Sequence, residues 1–155
     1  MINWNLTYSQ LLFFRYCLLL IGFCITLYLI FNNVLSSNSL ACGGIGDCNR
    51  VQNSSYAYFF DIPVSVLGSL FYVFLIFLTS LQFYFHDKTY IRFIELICFS
   101  SSIVALIFSI YLTSIEIFVI KEICIWCVAT AFIVTAIFFL NLWTLLSLKR
   151  YGIKD

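Results

Sequence analysis

Four of the seven cysteines in this 155-residue chain fall in two close pairs, Cys42-x5-Cys48 and Cys124-Ile125-Trp126-Cys127. Paired thiols are what dithiol–disulfide exchange requires, since a thiolate must reach a sulfur and a second thiol must resolve the product. In the second pair the cysteines are three residues apart, which on a helix sets both sulfurs on one face. In the first turn of a helix they also meet unpaired N–H groups and the positive end of the dipole. Both stabilise a thiolate and make the thiol a better nucleophile and leaving group. A purely bracing bridge is the competing reading, but a ring this small removes little chain entropy. The first pair differs, because Gly43, Gly44 and Gly46 leave the backbone between the cysteines free to swing and to be approached by another protein. Cys17, Cys24 and Cys98 lie within apolar runs, where a thiol behaves as a small inert hydrophobe, and no role is assigned to them.

The elements that position these pairs follow from composition. Hydrophobic residues make up 63% of the chain and charged residues 10%, and the mean hydropathy is +1.05, so the solvent for most of it is lipid. Runs at about 11–31, 62–85, 91–115 and 123–148 are each long enough to span, since a crossing takes roughly 20 helical residues. The second and fourth runs carry no charge, and the first and third carry one each near an end, Arg15 and Glu95. The first run is too long for a signal peptide, so it is expected to stay in the mature protein. None of the runs alternates polar with apolar, which argues against a transmembrane barrel. The expected fold is an all-α integral membrane bundle of four helices with a short outer cap, forming a single domain over residues 1–155. The eight scattered Lys and Arg give no nucleic-acid footprint.

Orientation follows from the basic residues. With both termini cytoplasmic, the inner side holds Arg15, Lys88, Arg92, Lys149, Arg150 and Lys154, and the outer side only Arg50 and Lys121. The connections 32–61 and 116–122 then face outward with Asp47, Asp61, Glu116 and Glu122, and all four paired cysteines share the outer face. The remaining link, 86–90, is a short inner turn in which His86 is given no role. Between Arg50 and Phe60 polar residues mix with Val51, Tyr56, Tyr58, Phe59 and Phe60, a composition suited to a segment lying at the membrane surface over the mouth of the bundle. Pro63 is expected in the first turn of the second helix, with Ser65, Gly68 and Ser69 allowing close helix contact.

The run Cys48-Asn49-Arg50-Val51-Gln52-Asn53-Ser54-Ser55-Tyr56-Ala57, then Asp61-Ile62-Pro63-Val64-Ser65-Val66-Leu67-Gly68, then Cys124-x-x-Cys127, resembles the vitamin K epoxide reductase family in its bacterial and plastid branch. The resemblance covers nearly the whole chain. It implies a four-helix bundle with a quinone pocket near the outer leaflet, the quinone being ubiquinone, menaquinone, plastoquinone or phylloquinone. It also implies that Cys42 meets a partner protein, that Cys48 relays to Cys124, and that Cys127 lies against the quinone ring. Ser54 matches a serine of the family's loop, and Tyr56 falls where the family has an aromatic residue over the pocket. Val64 and Ala131 stand where the vertebrate enzymes carry the Asn and Tyr that hydrogen-bond vitamin K.

With those donors replaced, the resemblance favours oxidation of partner thiols by a membrane quinone over the epoxide cycle. The fused thioredoxin-like domain of many bacterial and plant relatives is not in this sequence, so the expected thiol donor is a separate thioredoxin-fold protein on the outer face. The expected setting is a bacterial inner membrane or a plastid thylakoid membrane. Two other classes compete. A structural membrane subunit would use its bridges only to brace loops. A thiolate metal carrier is disfavoured because Cys-x5-Cys exceeds the usual ligand spacing and exported thiols oxidise.

Overall fold

Within lipid each span must satisfy its own backbone N–H and C=O groups, which a helix does. The computed structural model describes residues 4–32, 42, 47–84 and 88–150. A long helix α1 (Trp4–Ile30) is followed by a short helix α2 (Cys48–Gln52), a 3-10 turn at Ser55–Ala57 and a small antiparallel hairpin, β1 (Tyr58–Phe59) with β2 (Ile62–Pro63). Three further long helices complete the chain: α3 (Val64–Tyr84), α4 (Lys88–Ile115) and α5 (Ile125–Arg150). Four segments are long and apolar enough to cross a membrane, Tyr8–Ile30, Val64–Tyr84, Thr89–Ile120 and Ile125–Leu148. The chain is thus the four-helix membrane bundle that its hydropathy implies.

Three boundaries differ from the sequence-based expectation. Pro63 is not in the first turn of α3; it ends β2, paired with Tyr58, and the helix starts one residue later. The hairpin turns on Phe60 (φ 51°) and Asp61 (φ 62°), both in the left-handed region that a two-residue hairpin requires. The third span does not stop at residue 115. A single π-helical turn, Glu116–Ile120, carries it further, and Lys121 closes that turn in the left-handed conformation (φ 57°) with its N–H on the Glu116 carbonyl. The link to α5 therefore shrinks to residues 121–124, and Glu116 belongs to the span rather than to an exposed loop. His86 and the glycines at 43, 44 and 46 lie outside the described residues.

Helix α4 packs chiefly on α5, and α1 packs on α3 and α5, while α3 meets α4 over a smaller contact. Close approach of α1 and α3 depends on Gly22, where an added Cβ would overlap the ring of Tyr72. Leu19, Tyr72, Leu75, Leu78, Ile94, Cys98, Val134 and Ile137 form the main apolar core. Several hydroxyls in the spans bond a carbonyl of their own helix, as Thr26 does to Phe23 (2.8 Å) and Ser102 to Phe99 (2.7 Å), which offsets the cost of burying them.

At the end of the bundle opposite the paired cysteines, one polar side chain from each long helix converges. Arg15 of α1 donates from Nη1 to both carboxylate oxygens of Glu95 of α4 (2.9 Å each) and to Oδ1 of Asn141 of α5 (2.7 Å). Its Nη2 donates to Gln82 of α3, whose Nε2 in turn donates to Glu95 (2.8 Å). Asn141 also donates to the Cys98 carbonyl (3.2 Å). All four side chains are buried. Arg15, one of six basic residues assigned to the inner side, is thus neutralised inside the bundle, and five remain against two.

Breaking such a pair strands a charge, at a typical cost of about 3–5 kcal/mol, whereas removing both charges does not. Glu95→Leu should therefore lower unfolding stability in detergent by that order. The double change Arg15→Gln with Glu95→Gln should lower it distinctly less. Equal losses would show that charge pairing is not what joins the helices here.

Candidate functional site

Helix α5 begins at the second cysteine pair, and the details of that helix end set the chemistry. Cys124 precedes the first helical residue, and its carbonyl accepts the first helical bond, from Val128 N–H (3.0 Å). It is therefore the N-cap residue, and Cys127 is the third residue of the helix. Sulfur takes the place of the usual capping oxygen, accepting from the backbone N–H groups of Trp126 and Cys127. The strongest influence on Cys124 is the Cys127 thiol, which hydrogen-bonds to its sulfur. That contact, with the two N–H groups, holds the Cys124 thiol below the ordinary range, against burial and the nearby Glu116 carboxyl, which push it up. Cys124 is the sulfur prepared to be a thiolate.

The first pair lies over this helix end. Cys42 and Cys48 are joined by a disulfide with their Cα atoms 6.0 Å apart, whereas Cys124 and Cys127 are free thiols. Asp47 caps α2 by accepting Arg50 N–H (3.0 Å), which sets Cys48 at the head of that helix with its side chain inward. Cys48, Val51, Leu29 and Cys124 then form one buried apolar cluster, with Tyr28, Cys42, Trp126 and Cys127 packed around it. Trp126 holds the α5 end against α1, its ring 4.9 Å from that of Tyr28. Arg50 faces Glu122 across the surface (3.5 Å). The sulfurs expected to exchange, Cys48 and Cys124, are thus brought together.

Beneath them is a cavity of about 270 Å³, walled by all four long helices and the cap segment. Cys127, Ser54, Tyr56 and Val64 line it, all four expected at a ligand pocket. Ala131 does not line it; Thr130 and Val134, which sit on the inward face of the same helix, do. Ser54 donates its hydroxyl to the Val51 carbonyl (2.7 Å), so its contribution is to hold the cap segment closed. Cys17 is half-buried, Cys24 exposed and Cys98 buried in the core, all three away from this cavity.

Several residues with polar groups at the site had no signature in the sequence. Gln52 donates from Nε2 to Cys127 Sγ (3.4 Å). Glu116 accepts the Cys124 N–H at Oε2 (3.2 Å) and its side chain is within hydrogen-bonding reach of the Cys127 thiol. Tyr72 and Ser65 line the cavity with buried hydroxyls that have no hydrogen-bond partner among the described residues, as does Thr79 away from it. A buried, unpaired hydroxyl costs about 1–3 kcal/mol, so two on one wall of an apolar cavity suit a ligand with carbonyl oxygens. A quinone ring, apolar on its faces and polar at two edges, has that character.

In a chain whose only cysteines are Cys124 and Cys127, kept reduced, thiolate absorbance should grow in at a pH below about 8.5, the ordinary thiol value. Cys127→Ala removes the hydrogen bond to Cys124 and should move that titration upward. An unmoved titration would show that the contact does not set the acidity of Cys124.

Residues 14–142 match the model of the family described as "Vitamin K epoxide reductase family", a stretch that includes both cysteine pairs and the whole cavity. No curated protein matches the chain.

Proposed function

The chain belongs to the vitamin K epoxide reductase family, and on that premise we propose that it is a membrane thiol:quinone oxidoreductase that re-oxidises a separate thioredoxin-fold protein and so supports disulfide formation. The observation that carries this reading is the buried contact cluster holding Cys48 against Cys124, directly above a cavity lined by Cys127.

The steps are thiolate attacks on disulfides. A partner dithiol opens the Cys42–Cys48 bridge through Cys42, the more exposed of the two sulfurs, and leaves as a disulfide. Freed Cys48 attacks Cys124 of an oxidised Cys124–Cys127 pair, releasing Cys127. Cys42 then attacks Cys48, restoring the first bridge and releasing Cys124 as a thiolate held by its helix end. The product is a disulfide at Cys42–Cys48 with two free thiols at Cys124 and Cys127. Tyr72 and Ser65 would hold the quinone by its oxygens, Tyr56 and Val64 would flank it, and Cys127 would lie against it. A quinone bound there supplies the two-electron acceptor that returns the pair to a disulfide.

The face carrying the four cysteines is the outer one in this reading, with both termini cytoplasmic or stromal, on the balance of flanking Lys and Arg.

Vesicles containing the protein and a quinone test these assignments together. A reduced thioredoxin-fold protein added outside should bleach quinone absorbance only where the cysteine face points outward. Cys127→Ser should abolish bleaching. Cys42→Ser should block delivery from the protein partner but respond to a small permeant dithiol. Equal quinone reduction by wild type and Cys127→Ser would return the four cysteines to a bracing role.

A further inference from the structure

Glu116 is the one carboxylate among the residues lining the cavity, and it is buried. Burying a carboxylate is costly unless a cation neutralises it, and among the described residues the two ion pairs are Arg15–Glu95 and Arg50–Glu122. Lys121, nearby in sequence, is exposed. The chain also uses an uncommon element to put Glu116 there, since the single π-helical turn that starts at this residue carries the span past it. Such turns cluster at functional sites. The carboxyl touches both cysteines of the pair, accepting Cys124 N–H at 3.2 Å and lying within hydrogen-bonding reach of the Cys127 thiol.

The reduced pair has to dispose of protons as well as electrons. Cys124, as a thiolate, has none to give. The Cys127 thiol has one, in a cavity with largely apolar walls. The other titratable groups around this carboxyl are Tyr72 of α3 and Tyr56 of the cap, both lining the cavity, and Glu122 in the link, which faces Arg50 at the surface. None of these is in hydrogen-bonding contact with Cys127, whereas Glu116 is.

Resting on the thiol:quinone reading, we propose that Glu116 is the proton carrier of the site: its carboxylate takes the proton of the Cys127 thiol and delivers it to an oxygen of the quinone in the cavity. The step balances. The Cys127 S–H bond breaks toward Glu116, the Cys124–Cys127 S–S bond forms, and two electrons pass from the sulfurs to the quinone. The hydroquinone gains one proton from Glu116 and a second from water at the cysteine-bearing face. Glu116 ends as it began, a carboxylate.

A merely structural Glu116 would only cap the Cys124 N–H, and Glu116→Gln separates the two roles because an amide oxygen still accepts that bond but cannot carry a proton. In the glutamine variant kcat for quinone reduction should fall about 100-fold or more, the usual range for a lost acid–base group, with KM little changed. Alkylation of Cys127, measured without quinone in a Cys124→Ser background, should not slow, because the variant removes a negative charge beside that sulfur. On the unaltered protein, reduction of the Cys124–Cys127 pair should shift the carboxylate stretching bands in the infrared difference spectrum, because the Cys127 thiol regained on reduction bonds to the Glu116 carboxylate, a readout that does not depend on any variant folding. Unchanged kcat in the glutamine variant, slowed alkylation in parallel with turnover, or no carboxylate shift in the unaltered protein would each overturn the proposal. Failure of the wild type to reduce quinone would instead defeat the thiol:quinone reading on which it rests.

Discussion

The bundle depends on one buried ion pair, Arg15 with Glu95, and on the two amides, Gln82 and Asn141, that hydrogen-bond to it. In lipid, apolar side chains gain little by leaving the acyl chains for one another, so helix association falls to close packing and polar contacts. A cluster drawing one residue from each long helix therefore fixes all four at a single level. At the opposite end the helices leave room for the cavity, which all four line together. A bundle pinned at one end leaves the other end to hold the cavity and both cysteine pairs.

The open end is organised by a helix terminus. Cys124 occupies a position where a hydroxyl or carboxylate would ordinarily cap the helix, so the N–H groups that stabilise α5 also stabilise a thiolate. The same sulfur is buried in one cluster with Cys48, away from solvent. Stability and reactivity are set by one contact geometry here. On the cavity side, the unpaired hydroxyls belong to Tyr72 and Ser65, both on α3.

How much of this was legible in the sequence depended on the range of each signal. Spans and cysteine pairs are local patterns: apolar runs of the right length, and sulfurs three or six residues apart. These led to the four helices, to Cys124 and Cys127 at a helix start, and to an aromatic cap between Arg50 and Phe60. The partners that depend on two helices meeting were not legible. Arg15 and Glu95 read as single charges near the ends of separate runs, and nothing local joins them. Glu116 read as the first acid of an outward loop because a π-helical turn has no clear sequence signature. Pro63 fitted a helix start equally well as a strand end. Tyr72 looked like any core aromatic, and only its unpaired hydroxyl beside the cavity distinguishes it.

The central claim is that electrons cross from the loop pair to the helix pair through Cys48 and Cys124. The most direct measurement is mass spectrometry of non-reduced peptides from Cys42→Ser protein, in which Cys48 has lost its resolving partner. A peptide bridge between Cys48 and Cys124 should accumulate, and it should vanish when either of those residues is also replaced. If Cys48 is instead found free, or bridged only to sulfurs other than Cys124, the two pairs do not communicate and the account fails.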